Sequence, residues 1–162
     1  MFEYEIVLRI KDFISDIGIP IKESAILVET IMPGIQIDNG ILVFDKEKLL
    51  YPGDLLHMAG HIAVKPSSER NVSSLDCKMD PAEEMMTIAW TYAAIINLNI
   101  SPEVVFHPNC YKGQSAQIIS GFQNGFYLGL PMLQWVNMAA DHIQATLLGI
   151  EPFPKMIKWV RD

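Results

Sequence analysis

Two histidines four residues apart are the residues of this chain best placed to do chemistry. His57 and His61 lie in the apolar run LLHMAGHIAV, Leu55 to Val64, which has the pattern of a buried helix. Residues four apart on a helix lie one above the other on the same face, so both imidazoles can reach one ion. An open zinc site usually takes three protein ligands. The spacing therefore predicts two ligands of a metal site, and a third has to come from elsewhere in the chain.

The third ligand is predicted in a pair of glutamates that follows some two dozen residues later. Asp80-Pro81-Ala82-Glu83 has the pattern of a helix start, with a capping residue, a proline and a glutamate at the third helical position. In that position Glu83 is expected to reach back to the backbone of Asp80. Glu84 is free to point elsewhere, and we predict that it completes the set His57, His61 and Glu84.

The blocks YPGDLLHMAGHIAV, AEEMMTIAWTYAA and Phe106-His107-Pro108 together resemble short bacterial zincin-like metallopeptidases. Those enzymes carry H-E-x-x-H on one helix and a glutamate on the next. The likeness is closest to an uncharacterised branch that reads PGDLLHEAGH and later VFHP, and it covers roughly Gly34 to Trp135. It implies a zincin-like fold with zinc held by His57, His61 and Glu84.

Met58 departs from that pattern, because it stands where such enzymes have a glutamate. The glutamate accepts a proton from metal-bound water, which a thioether cannot do near neutral pH. General acid–base groups typically contribute ~10²–10⁴-fold in rate. The sequence therefore predicts a zinc-binding domain with little or no ordinary peptidase activity, acting as a binding or regulatory module for a peptide, protein or small-molecule ligand.

Two alternatives remain open from the sequence. The first is a divergent metallohydrolase that uses Asp54, His107 or Glu83 as its base. Asp54 is expected to cap the helix, or else to orient the ring of His57. His107 sits before a proline and is a candidate fourth ligand or substrate contact. The second alternative is a metal-free interaction domain.

Composition excludes some classes of function. The 162 residues carry a formal charge of -7, without the basic cluster that nucleic-acid binding requires. No apolar run reaches the ~18 residues of a membrane span, and the N-terminus lacks the pattern of a signal peptide. Two cysteines, Cys77 and Cys110, are too few for a disulfide framework. We expect a cytoplasmic protein.

Hydrophobic periodicity and turn residues place these motifs in a single α+β domain spanning residues 1–162. Aromatic residues Trp90, Tyr92 and Trp135 are expected in its core, and Phe153 and Trp159 are expected to pack the C-terminal end against the body. The predicted elements are a helix at Glu3–Ile17, a hairpin at Gly34–Asp45, a helix from Pro52 to about Val64, a loop at Lys65–Met79, a helix from Pro81 to about Leu98, a short helix at Ser115–Gln123 and helical structure at Pro131–Gly149.

Overall fold

The computed structural model describes residues 2–72 and 80–162. Within those residues the chain has an α+β fold of seven α-helices and one three-stranded sheet. The helices are α1 (Phe2–Asp16), α2 (Asp54–Ala63), α3 (Ser67–Arg70), α4 (Pro81–Leu98), α5 (Ser115–Gln123), α6 (Leu130–Trp135) and α7 (His142–Leu148). The strands are β1 (Ile21–Glu23), β2 (Ile35–Asp38) and β3 (Ile41–Phe44).

The predicted hairpin is confirmed, but the sheet contains one strand more than predicted. β2 and β3 pair antiparallel, and the turn between them is formed by Asn39 and Gly40, both with positive φ. β1 lies on the other side of β3 and pairs with it in parallel. Three residues with mostly exposed side chains carry no periodic signal, so this edge strand could not be read from the sequence.

Helices α2 and α4 pack closely against each other at the centre of the fold. A Cβ at Gly60 would come within 2.9 Å of Thr87 Cγ2 and 3.0 Å of Trp90 Cε3, so only glycine permits this approach. Asp80 caps α4 as predicted, through its side chain and the amide of Ala82. The glycine in α2 therefore allows the start of α4 to lie beside the histidines.

One hydrophobic cluster joins α1, the sheet, α2, α4 and the C-terminal segment. The prediction for the C-terminal end is confirmed: Phe153 is buried, and the Trp159 ring packs on Phe13 and Trp90. Trp90 and Tyr92 are buried as expected. The prediction for Trp135 is wrong, because its side chain is 87% exposed at the end of α6.

Two predicted segments differ from the structure. The predicted loop after α2 contains the short helix α3, while residues 73–79, with Cys77, lie outside the described residues. The helical stretch predicted from Pro131 to Gly149 is divided into α6 and α7. Asn137 adopts a left-handed φ of 59° after α6, and the side chain of Asp141 then caps α7.

None of the described helices has the length and apolar character needed to cross a membrane.

Candidate metal centre

A stripe of polar side chains runs along the buried face of α2. Asp54, His57 and His61 occupy positions i, i+3 and i+7, so they share one face of the helix, and all three are buried. The start of α4 faces the C-terminal half of this stripe. The segment that follows α4 supplies the groups that meet its N-terminal half.

The two histidines and Glu84 bring their ligand atoms to one point. Nε2 of His57 and Nε2 of His61 are 3.1 Å apart. The carboxylate of Glu84 lies 3.0 Å from Nε2 of His61 and 3.5 Å from Nε2 of His57. These three residues form a cluster, with ligand atoms within 4.8 Å of one another, that could hold a metal ion. The structure thus brings together the three residues that the sequence singled out.

The donor set and its spacing fit a divalent cation. Ligand atoms at about 2.0–2.1 Å from a tetrahedral zinc ion lie ~3.3 Å from each other, which is close to the 3.1 Å between the two Nε2 atoms. The carboxylate of Glu84 meets the two histidines through different oxygens, Oε2 at His61 and Oε1 at His57. Oε2 of Glu84 is buried and makes no hydrogen bond to any described residue, although it lies beside the His61 ring. This oxygen lies 3.0 Å from Nε2 of His61, and a cation at this point would interact favourably with both atoms.

The outer nitrogen of His61 faces charged groups carried mainly by α4. Nδ1 of His61 lies 3.2 Å from Oε1 of Glu83 and 3.4 Å from the hydroxyl of Thr87. The other oxygen of Glu83 pairs with Lys65 Nζ at 2.9 Å. Glu83 therefore orients a candidate metal ligand, and the predicted bond back to the Asp80 backbone is replaced by this arrangement.

The outer nitrogen of His57 faces a neutral group from a loop. The phenol oxygen of Tyr111 lies 2.6 Å from Nδ1 of His57. Tyr111 and Lys112 have positive φ values of 52° and 54°, a conformation that costs non-glycine residues about 1–3 kcal/mol each. Sequence reasoning missed Tyr111, since no helical or strand spacing links it to α2. Its place next to the VFHP block was the one available signal.

The protonation states of His57 and Glu84 suit metal binding. Burial lowers the pKa of His57 to about 4, and the nearby His61 acts in the same direction. Burial alone would raise the pKa of Glu84, but its contact with His61 and its attraction to His57 outweigh burial and lower the pKa. At neutral pH the cluster therefore offers a neutral imidazole at His57 and an ionised carboxylate at Glu84, as metal coordination requires.

The pKa of His61 shifts in the opposite direction to that of His57. Burial alone would lower its pKa, but contacts with Glu83 and Glu84 outweigh that effect and raise it. Its ring lies between two carboxylates, one at each nitrogen. A proton and a metal ion therefore compete for Nε2 of His61.

Met58 belongs to the hydrophobic core rather than to the polar stripe. It is 2% exposed and packs within the main cluster of buried apolar side chains. A thioether has no acid–base function, so nothing at this position can take a proton beside the cluster.

Asp54 and His107 form a second polar contact at the start of α2. Oδ1 of Asp54 lies 3.0 Å from Nε2 of His107, whose ring stacks on Tyr51 at 3.8 Å. The N-cap of α2 is Gly53, with no side-chain cap, so the predicted capping role of Asp54 is wrong, and its carboxylate binds His107 rather than the His57 ring. Among the described residues, the His–His–Glu cluster does not include His107.

Cys110 is a half-buried thiol held by hydrogen bonds. Its Sγ contacts the carbonyl oxygens of Val105 and His107 and the hydroxyl of Ser115. Burial raises the pKa of the Cys110 thiol, so the thiolate that nucleophilic chemistry requires is disfavoured.

Comparisons of the chain with protein-family models, with curated proteins and with solved structures find no match. The likeness to zincin-like proteins therefore rests on the motifs themselves and on the His57–His61–Glu84 cluster to which they lead.

Proposed function

We propose that this chain is a zincin-like domain that binds zinc through His57, His61 and Glu84 and serves as a binding or regulatory module. The observation that carries the proposal is the convergence of two Nε2 atoms and a carboxylate at separations of 3.0 to 3.5 Å. Two histidines and one carboxylate are a ligand set that open zinc sites use. When bound, zinc would supply Lewis acidity and would lower the pKa of a coordinated water.

The proposed domain lacks the group that ordinary peptide hydrolysis needs. Met58 cannot accept a proton, and Glu83 is already paired with His61 and Lys65 on the far side of the His61 ring from Nε2. A site that holds a metal with an open position, but that has no base beside it, is suited to binding. The ligand proposed for it is a peptide, a protein or a small molecule.

Metal content tests this proposal directly. Protein purified without an affinity tag should contain about one equivalent of zinc, or should take it up after chelator treatment, as measured by elemental analysis. Glu84→Gln should take up much less, while Glu151→Gln, an exposed glutamate far along the chain, should behave like the wild type. A wild-type protein that refuses added zinc would overturn the proposal and would favour a metal-free interaction domain.

One observation favours a second candidate function, a divergent metallohydrolase. Nδ1 of His107 is buried and makes no hydrogen bond to any part of the chain that the structure describes, while Nε2 binds Asp54. A carboxylate that holds one ring nitrogen and leaves the other bare is the arrangement of a general base. Here Asp54 would orient His107, and His107 would take the proton.

A comparison of two substitutions separates the candidates. If His107 is the base, hydrolysis of a mixed peptide and ester panel should be measurable in the wild type and should fall about 10²–10⁴-fold in His107→Gln. Met58→Glu should then change the rate little. If the domain is a non-hydrolytic zinc module, the wild type and His107→Gln should both be inactive, and Met58→Glu is the variant expected to gain hydrolytic activity.

A further inference from the structure

The contact between Tyr111 and His57 ties the metal cluster to the loop that meets the N-terminal half of the polar stripe on α2. The phenol oxygen and Nδ1 are 2.6 Å apart, and the two rings meet edge to face with centroids 5.2 Å apart. The Tyr111 ring also packs on Phe106, which is itself fully buried. Tyr111 is thus held between the core and a candidate ligand.

The backbone at Tyr111 and Lys112 is in an unfavourable conformation. Tyr111, Lys112 and Gly113 are consecutive left-handed residues, with φ of 52°, 54° and 79°. Only the glycine adopts such a φ without strain. Strained backbone persists where surrounding contacts hold it, and the side chain of Tyr111 is held by its hydrogen bond with His57.

The tautomer of His57 connects this contact to metal binding. A metal on Nε2 requires that the ring proton sits on Nδ1, where it is donated to the Tyr111 oxygen. The phenol oxygen lies 2.6 Å from Nδ1 and has lone pairs that can accept this bond. The phenol can take the acceptor role that coordination through Nε2 requires, and a cation on Nε2 makes Nδ1–H a stronger donor to the phenol.

We propose that Tyr111 is a positioning residue for His57 and that it couples metal binding to the conformation of the loop His107–Gln114. The inference rests on the proposed zinc site. Coupling between two events is reciprocal: if docking of Tyr111 favours the bound metal, the bound metal favours docking of Tyr111 by the same factor. Metal loading then stabilises a loop that also carries His107, and so changes the surface that the domain offers to a ligand.

The experiment compares wild type, Tyr111→Phe and Tyr127→Phe, using Zn²⁺ alone as the probe. Tyr111→Phe keeps the ring and removes the oxygen that meets His57. Tyr127→Phe removes a phenol oxygen from a ring that packs on Phe122 and Phe153, and serves as the control. Zinc affinity is measured by competition with a chromophoric chelator, and hydrogen exchange of the amides of residues 107–114 is followed with and without zinc.

We expect Tyr111→Phe to bind zinc ~10–100-fold more weakly than the wild type, as changes to outer partners of metal ligands do. Zinc should slow exchange in the loop of the wild type and of Tyr127→Phe, but not in Tyr111→Phe. The coupling is overturned if Tyr111→Phe keeps wild-type affinity, or if zinc leaves loop exchange unchanged in the wild type. A wild type that binds no zinc overturns the proposed function as well, which distinguishes the two failures.

Discussion

His57 and His61 project from one helix into one cluster, yet the chain supports their outer nitrogens in different ways. Beside His61 the partner is the charged Glu83, carried by α4 and paired with Lys65. Beside His57 the partner is the neutral Tyr111, carried by a left-handed turn. One side is built by regular helix packing and charge, and the other by a loop that has to be held in place. The two sides should therefore respond differently to substitution.

The largest loss of zinc affinity is expected from a substitution of Glu84, because this residue contacts both histidines. Glu84 contacts Nε2 of both histidines, so Glu84→Gln replaces the charged ligand with a neutral amide of the same size. Zinc affinity should fall by more than the ~10–100-fold typical of outer partners. Chelator competition measures this loss. A value within tenfold of the wild type would show that Glu84 is not a ligand.

The next largest effect should come from the spacing between the helices that carry the cluster. In Gly60→Ala the new methyl group would overlap Thr87 and Trp90, and overpacking of this kind typically costs about 1–3 kcal/mol. Urea denaturation measures the loss in the free energy of unfolding, and zinc affinity should fall with it because α4 carries Glu83 and Glu84.

Gly121→Ala is the matched control for this prediction. Gly121 lies in α5, where an added Cβ meets nothing closer than 3.5 Å, so alanine should stabilise by about 0.5–1 kcal/mol. Equal stabilities for Gly60→Ala and Gly121→Ala would mean that the approach of α2 to α4 is not constrained at Gly60.

The same division between helix and loop decides how much of the site was predictable. The His57–His61 pair and the start of α4 at Asp80 could be predicted because helical period and capping are local properties of the sequence. Glu84 was selected over Glu83 because Glu83 was assigned to the capping box and because the resemblance to zincin-like proteins places a glutamate at position 84. The identity of the metal does not follow from the geometry, since other divalent cations accept the same donors.

The roles of Tyr111, Asp54 and Glu83 depend on contacts distant in sequence. Tyr111 is 54 residues from His57, and Asp54 is 53 residues from His107. Local rules gave Asp54 and Glu83 capping roles, which the packing of α2 against α4 and the following loop replaced with histidine contacts. Strand β1 was missed for a related reason, because its pairing with β3 is tertiary and its three residues carry no pattern.

The third prediction compares the two outer partners directly. Glu83→Gln should weaken zinc binding toward the upper end of ~10–100-fold, and Tyr111→Phe toward the lower end, because charge-assisted hydrogen bonds are roughly twice as strong as neutral ones. Chelator competition at one pH and one ionic strength gives both values. A larger loss in Tyr111→Phe than in Glu83→Gln would reverse the ranking of the two sides.

The smallest effect is expected one step further out, at Lys65. Lys65→Met keeps most of the side-chain stem but removes the charge that pairs with Glu83 at 2.9 Å. The two side chains are only 15% and 18% exposed, so Glu83 loses a close partner. Glu83 would still meet Nδ1 of His61, so the orientation of the ring should survive, and the loss in zinc affinity should stay below the ~10-fold lower end for outer partners of metal ligands. A loss above tenfold would mean that Glu83 orients His61 only when Lys65 holds its carboxylate. The support of His61 would then depend on a chain of side-chain contacts, as the support of His57 by Tyr111 does, rather than on helix packing alone.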